Sequence, residues 1–182
     1  MKTINFEVRP MANAFKPPIP TKMDRNAFVA RFGGVYEHSP WIAEAVFDGE
    51  LSVAENTAEG LSAAMQRVLA QADGAAHLAI IRAHPDLAGK AALAGELTDD
   101  SASEQAGAGL DQCSPEEFAE FQKLNDAYKT KFGFPFIIAV KGLTRFDILD
   151  AFRARLHNDQ EAEQATALEQ INKIARLRLD TL

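Results

Sequence analysis

Ser114-Pro115-Glu116-Glu117-Phe118-Ala119-Glu120-Phe121-Gln122-Lys123-Leu124 is the stretch of this sequence that most directly predicts its fold. The serine and the glutamate three residues later form a capping box, which favours a helix start because it satisfies backbone N–H groups that have no partner in the first turn. Proline is well tolerated at the first helical position. Apolar residues then recur at helical spacing on one face: Phe118, Phe121, Leu124 and Tyr128. The stretch therefore predicts an amphipathic helix, which Gly133 should end.

Similar helix start and stop signals are found along most of the chain. Further helices are expected to begin near Asp24, Ser39, Thr57, Thr144 or Arg145, and Asp159. With 182 residues, the chain fits one domain that can bury a sizeable core. The pattern predicts an all-α, single-domain helical bundle over residues 23–182. Residues 1–22 form a proline-rich arm, which should be extended and pack on the domain.

One segment differs from this helical pattern. Residues 134–140, Phe-Pro-Phe-Ile-Ile-Ala-Val, are apolar, rich in β-branched and aromatic residues and preceded by a glycine, which by local rules favours a buried strand. No second strand of comparable strength could pair with it, and an isolated buried strand leaves backbone polar groups unsatisfied. We therefore predict a buried extended turn that enters a short helix. Its free N–H groups make it a candidate pocket wall.

Composition excludes several classes of function. Acidic residues outnumber basic ones by 26 to 19, for a net charge of −7, so nucleic acid and anionic membranes are not expected partners. Cys113 is the single cysteine, which excludes an intramolecular disulfide framework. No apolar run is long enough to span a bilayer, and the first 22 residues lack the pattern of a signal peptide. A cytoplasmic protein is expected.

Acid, base and hydrogen-bonding groups are concentrated in two nearby segments. His84 lies in Ala83-His84-Pro85-Asp86-Leu87, where proline restricts the backbone and the chain should turn. Ser101, Glu104 and Gln105 follow at spacings i, i+3 and i+4, which place them on one face of a helix. An imidazole that titrates near neutrality, beside a carboxylate, is typical of a catalytic site.

More ordinary interpretations compete with this one. Single histidines are mostly structural or exposed, as expected for His38, His77 and His157, and Cys113 is expected to be incidental. The histidines lack the paired spacing of a zinc site, so no metal is expected. Taken alone, the face that carries Glu104 could simply be solvated, and charges near a helix C-terminus such as Arg178 could serve only the helix dipole.

Two functions outside enzymology also need consideration. His84-Pro85-Asp86 is the tripeptide through which J-domain co-chaperones engage Hsp70, which would make the chain an interaction module. The helix before that tripeptide is strongly basic in J-domains, whereas here Arg82 is the only charge between residues 78 and 83. This feature argues against the co-chaperone. A helical scaffold without a catalytic site is the third possibility.

Several segments together resemble one enzyme family, the 2-oxo-4-hydroxy-4-carboxy-5-ureidoimidazoline (OHCU) decarboxylases. They occur in order from about residue 24 to the end of the chain. The first three are Gly34 to Trp41, Ala83 to Leu87 and Ser101 to Leu110. The others are Leu124-Asn125 with Tyr128, Phe132 to Ile138, Arg155 to Asn158, and Ile174 with Leu177, Arg178 and Leu179. Each motif is short, but their joint occurrence at family-like spacing is specific.

The resemblance implies an all-helical, cofactor-free carboxy-lyase that forms (S)-allantoin in urate degradation, commonly as a homodimer. It assigns catalysis to His84 and Glu104. Its substrate-binding groups correspond to Pro85, Ser101, Gln105, Phe136, Ile137, Ile138, Ala139, Val140 and Arg178. The resemblance implies that His84 shuttles protons and that Glu104 orients N–H donors of the substrate. Arg178 would supply a permanent cation for the anionic substrate.

Overall fold

The computed structural model describes residues 14–89, 92 and 94–182. Within these residues the chain folds as an all-α domain, as the sequence predicts. No helix in the described part of the chain is both long and apolar enough to cross a membrane. The α-helices are α1 (Arg25–Phe32), α2 (Trp41–Asp48), α3 (Ala58–Gln71), α4 (Gly74–Arg82), α5 (Asp99–Gly107), α6 (Pro115–Phe132), α7 (Arg145–Arg155) and α8 (Gln160–Leu179).

Side-chain caps determine where these helices begin. The Ser114 hydroxyl accepts from the Glu117 N–H at 3.2 Å, and the Glu117 carboxylate accepts from the Ser114 N–H at 2.8 Å, which is the predicted capping box of α6. Gly133 ends this helix with a φ of 76°, a left-handed conformation that glycine adopts without a steric penalty. The carboxylates of Asp24 and Asp159 cap α1 and α8 by accepting from the N–H groups of Ala27 and Ala162, so the helix starts predicted near these residues are confirmed.

The core is rich in aromatic side chains. Tyr128 of α6 lies at the centre of one group and makes edge contacts with Phe136 and Phe152. The rings of Phe136 and Phe152 stack with centroids 3.8 Å apart. Phe136 is therefore held between the core and the cavity described below, so core packing fixes the segment that carries it.

The N-terminal arm packs on the domain over the part that is described. The Phe15 N–H donates to the Asn56 carbonyl at 3.0 Å, and the Phe15 ring is buried against Phe32. Arg31 of α1 also donates to the carbonyls of Lys16 and Pro18. Residues 1–13, which include Pro10, lie outside the described residues.

The apolar segment 134–140 is extended and buried but forms no strand, as predicted. A turn at residues 141 and 142 follows it, and α7 begins at Arg145, so the expected short helix directly after the segment is wrong. The Thr144 cap explains the delay, because its hydroxyl and N–H pair with the Asp147 carboxylate and set the helix start there.

Candidate active site

His84 is held at the C-terminal end of α4 by its own helix. Its Nδ1 lies 2.9 Å from the Ile80 carbonyl oxygen. A carbonyl can only accept, so Nδ1 carries a hydrogen and donates. In the neutral ring Nε2 is then unprotonated, and it has no hydrogen-bond partner within the described part of the chain. The neutral imidazole therefore offers one free basic nitrogen.

The surroundings of His84 favour this neutral form. Burial lowers the pKa of His84 because the charged ring loses hydration, although the residue as a whole is not completely buried. The hydrogen bond to Ile80 and the negative charge of Glu37 oppose this effect, and the positive charge of Arg178 adds to it. The net shift is downward, so His84 is mostly neutral at pH 7 and able to accept a proton.

Helix α5 presents the predicted polar face toward His84. The Thr98 hydroxyl caps the helix by accepting from the Ser101 N–H at 3.3 Å, which fixes its start. Ser101 and Gln105 are buried, and Glu104 between them is partly exposed. The Gln105 Oε1 accepts from the Ala88 N–H at 3.0 Å and so ties the turn after His84 to α5. The amide NH2 of Gln105 is the part that stays available to a ligand.

Arg178 of α8 joins this face through charge-assisted hydrogen bonds. Its Nε donates to Glu104 Oε1 at 2.8 Å and its Nη2 to Glu104 Oε2 at 2.9 Å, a bidentate pair. Nη2 also donates to the Ser101 hydroxyl at 3.3 Å. Arg178 is only 6% exposed. It is therefore a paired cation rather than a free one, and a substrate anion could reach the same edge only by competing with Glu104.

Glu37 completes the group and was not among the residues singled out from the sequence. Its Oε2 accepts from Arg178 Nη1 at 2.9 Å, and its Oε1 accepts from the hydroxyls of Thr98 at 2.7 Å and Ser101 at 3.1 Å. It lies in the segment from Gly34 to Trp41 that resembles the decarboxylase family. That segment was the available signal, but the spacing in sequence gives no hint that residues 37 and 178 meet.

Charge pairing keeps this group ionised despite its burial. Burial alone would raise the pKa of Glu37, but the hydrogen bonds from Thr98 and Arg178 outweigh it and hold the pKa below its ordinary value. Burial alone would lower the pKa of Arg178, but Glu104 and Glu37 raise it above its already high value. We refer to Glu37, Glu104 and Arg178 as the Arg178 cluster. Two carboxylates face one guanidinium, so the cluster carries an excess negative charge.

Most of the predicted residues line one small cavity that is open to solvent. Ten residues predicted from the sequence line it, together with Leu87 and Ile174, which were not predicted. The ten are His84, Pro85, Ser101, Glu104, Gln105, Phe136, Ile137, Ile138, Val140 and Arg178. Ala139 is the exception, because it lines a neighbouring cavity on the other side of Glu104 and Arg178. The sequence thus identified nearly the whole lining of this site.

Two side chains fix the extended segment as a wall of the cavity. Arg155 Nη1 donates to the Ile137 carbonyl at 2.6 Å, and the Arg155 guanidinium lies 4.4 Å from the centroid of the Phe136 ring. On the other side of Ile138, the Ala139 N–H donates to Gln170 Oε1 at 3.0 Å. Because the Ala139 N–H is used in this way, it is not one of the free donors that the sequence suggested.

None of the remaining chemical candidates lines this cavity. His38 and His157 are exposed, and His77 Nε2 lies 2.7 Å from the Leu69 carbonyl. Cys113 is partly buried, and burial raises the pKa of its thiol, which keeps it protonated. No group of three or more His, Cys, Asp or Glu side chains among residues 14–89, 92 and 94–182 is arranged to hold a metal ion.

An all-α domain with a basic imidazole and a carboxylate–guanidinium pair around a small open cavity is typical of a helical enzyme for acid–base chemistry on a small molecule. Comparison with known proteins identifies the enzyme family. The profile of the OHCU decarboxylase family matches residues 21–180, so the chain belongs to that family.

Relatives and solved structures agree with this assignment. A 2-oxo-4-hydroxy-4-carboxy-5-ureidoimidazoline decarboxylase of Halalkalicoccus jeotgali is 41% identical over 159 residues, which cover 87% of this chain and 86% of that protein. The uric acid degradation bifunctional protein PucL of Bacillus subtilis is 40% identical over 161 residues, 87% of this chain but 31% of that longer protein. A crystal structure of (S)-allantoin synthase superimposes with a TM-score of 0.68 at 32% identity, over 88% of this chain and 51% of that one. These comparisons give no support to the co-chaperone alternative.

Proposed function

We propose that this protein decarboxylates 2-oxo-4-hydroxy-4-carboxy-5-ureidoimidazoline to (S)-allantoin in urate degradation. Family membership over residues 21–180 and relatives that carry this name support the proposal. The observation that carries it is the convergence of His84, Glu104, Ser101, Gln105 and Arg178 on one cavity. The family resemblance in the sequence led to the same residues.

The chemistry suits a site without an electron-accepting cofactor. The substrate carries its carboxylate on a ring carbon that also bears a hydroxyl, next to a C=N bond. When the carbon–carboxylate bond breaks, its electron pair moves into the ring toward that C=N bond and CO2 leaves. The ring nitrogen that receives this electron pair gains a proton from water, the hydroxyl loses a proton to become the carbonyl of allantoin, and the adjacent carbon gains one. The proposed reaction is therefore cofactor-free, and its catalytic demand is proton transfer.

His84 is the group best placed for that proton transfer. Its neutral ring accepts the hydroxyl proton at Nε2, and the resulting imidazolium donates a proton to the ring carbon. General acid–base catalysis of this kind contributes about 10²- to 10⁴-fold in rate. A lowered pKa suits the first step, because the ring must be unprotonated when the substrate arrives.

The other polar groups bind and orient the substrate in this proposal. Glu104 accepts from ureido or ring N–H groups, and the Gln105 amide and Ser101 hydroxyl complete the hydrogen-bond set. Arg178 offers its Nε and Nη2 edge to a substrate oxygen when Glu104 turns to the substrate, while Nη1 stays on Glu37. Phe136, Ile137, Ile138, Val140 and Pro85 close the apolar side of the cavity, which keeps water from the intermediate.

A direct assay tests the proposed function. The unstable substrate is generated from urate in situ, and the formation of (S)-allantoin is followed by circular dichroism. We expect optically active allantoin to appear faster with the protein than in its absence, and this should survive exhaustive chelation. Racemic product at the uncatalysed rate would contradict the proposal. Activity that is lost with a chelator and restored by one metal would contradict the cofactor-free mechanism.

We also propose that the protein acts as a homodimer in the cytoplasm, with a small-molecule substrate and no nucleic-acid or membrane partner. The family resemblance supports the dimer, and the net charge of −7 and single cysteine support the rest. Light scattering after size-exclusion chromatography measures the oligomeric state, and a mass of one chain of 19.8 kDa would contradict the dimer.

A further inference from the structure

The Arg178 cluster contains one more carboxylate than the proposed reaction uses. Glu104 is partly exposed and lines the cavity, where it can meet a substrate. Glu37 is 2% exposed and does not line that cavity. A fully buried carboxylate is costly unless its surroundings compensate it, and here three donors from two helices and a cap converge on it. The role of Glu37 must therefore be sought in the groups that it contacts.

The first contact of Glu37 fixes the orientation of Arg178. Guanidinium is a rigid planar fork, so a bond at Nη1 on one side fixes where the Nε and Nη2 edge points on the other. With Glu37 on Nη1, that edge faces Glu104 at 2.8 and 2.9 Å. If Glu104 leaves Arg178 for a substrate, the bond to Glu37 at 2.9 Å still holds the guanidinium in place.

The second effect of Glu37 is electrostatic. The charged groups that bear on His84 are Glu37 and Arg178, with the His38 ring nearby and Glu104 on the wall of the same cavity. Glu37 favours the protonated ring, whereas Arg178 and His38 disfavour it. The excess negative charge of the cluster matches the single positive charge of an imidazolium at His84. Without Glu37, the cluster would be neutral and would give the imidazolium little support.

We infer that Glu37 is a positioning residue of this site, which anchors Arg178 through Nη1 and supplies the negative charge that stabilises His84 while it carries a proton. This inference rests on the proposed function for its kinetic consequence, but its structural content concerns residues 37, 84 and 178 alone. A substitution that keeps the shape and removes the charge separates the two contributions.

The test compares Glu37→Gln with wild-type protein by NMR titration of the His84 ring and by the pH profile of kcat/KM. We expect the His84 titration and the acid limb of the profile to move to lower pH by about half a unit or more, because a nearby opposite charge is lost. Glu55→Gln is the matched control. Glu55 is also a buried carboxylate, but it caps the turn at Ser52 far from this cavity, and its loss should leave both midpoints unchanged.

Each outcome supports or overturns the inference. Glu37→Asp keeps the charge but shortens the side chain, so it should lower kcat through misplacement of Arg178 while the His84 midpoint stays near wild type. This variant also serves if Glu37→Gln does not fold. Unchanged His84 midpoints in Glu37→Gln, or wild-type kcat in Glu37→Asp, would overturn the inference. A shifted NMR midpoint in a protein with no decarboxylase activity would support the role of Glu37 and reject the proposed function instead.

Discussion

The described part of the molecule contains two clusters in which a largely buried arginine meets acidic side chains, and the two differ in charge balance. In the Arg178 cluster, one guanidinium faces the two carboxylates of Glu37 and Glu104 beside the cavity. In the second, which we call the Arg155 cluster, Arg155 Nε donates to the single carboxylate of Glu163 at 2.7 Å. Glu163 is completely buried and also accepts from Tyr128 and from Asn158.

The difference indicates what each cluster does. The Arg155 cluster is electrically balanced and lies behind the cavity wall, where it can only hold Ile137 and Phe136 in place. The Arg178 cluster is unbalanced and opens onto the cavity, where an excess charge can favour a transient cation. A balanced buried pair contributes to structure, whereas an unbalanced one beside a titratable ring can contribute to chemistry.

The largest effect on stability is expected from a substitution that breaks the balanced Arg155 cluster. Glu163→Leu leaves Arg155 buried without its carboxylate, and removing one partner of a buried pair costs about 3–5 kcal/mol of unfolding free energy. Urea denaturation measures this loss. The folded fraction should keep kcat within about tenfold of wild type, since no catalytic group changes. A stability close to wild type would show that this cluster does not hold the fold.

Next in size is loss of the proton-transfer group. We expect His84→Asn to reduce kcat by about 100-fold or more, in line with removal of a general acid or base. The thermal unfolding midpoint should stay close to that of wild type, because the His84 side chain makes a single hydrogen bond within the described part of the chain, to Ile80. Near wild-type turnover in a folded variant would remove His84 from the mechanism.

A smaller effect is expected from a change of shape at constant charge. Arg178→Lys keeps the cation but loses the fork that meets Glu37 and Glu104 together, so kcat/KM should fall by about tenfold or more. Arg176→Lys is the matched control on the same helix. Among the described residues, the ion-pair partner of Arg176 is Asp180 near the surface, so its replacement should be nearly silent. Equal losses of kcat/KM in both variants would indicate that Arg178 acts only as a charge at the end of the helix.

The smallest effect concerns pH. The folded pKa of His84 lies below its unfolded value of about 6.5, so the unfolded state binds the extra proton first as pH falls. The stability contributed by the neutral ring is therefore present above pH 6.5 and is lost as pH falls toward the folded pKa. In denaturant titrations between pH 7 and 5, His84→Asn should lose less stability than wild type. A wild-type protein that gained stability over this range relative to the variant would contradict the lowered pKa.

The sequence predicted most of the fold because its signals were local. Capping residues such as Asp24, Ser114 and Asp159 act within one helical turn, so their patterns are readable from adjacent letters. The extended state of residues 134–140 followed from the absence of a partner strand. The short helix expected directly after that segment was wrong, whereas the helix start at Thr144 or Arg145 was predicted correctly.

The sequence predicted most residues of the candidate site but not the contacts between their side chains. His84 and the Ser101, Glu104 and Gln105 face were visible as motifs, and the family resemblance added Arg178. The pairing of Arg178 with Glu37 joins residues 141 positions apart and depends on how α8 packs, which local patterns do not contain. For the same reason the sequence suggested a free cation, whereas folding places two acidic partners on it.

The hydrogen bond between His84 Nδ1 and the Ile80 carbonyl determines how a hydrogen isotope would pass from substrate to product. Since that bond occupies one ring nitrogen, a hydrogen taken from the substrate hydroxyl in the proposed mechanism must arrive and depart at the same atom, Nε2. A single-atom relay delivers to one face of the substrate, which accounts for a single product enantiomer. Part of the isotope label should also be retained, because a hydrogen that is transferred before it exchanges with water carries its original isotope into the product.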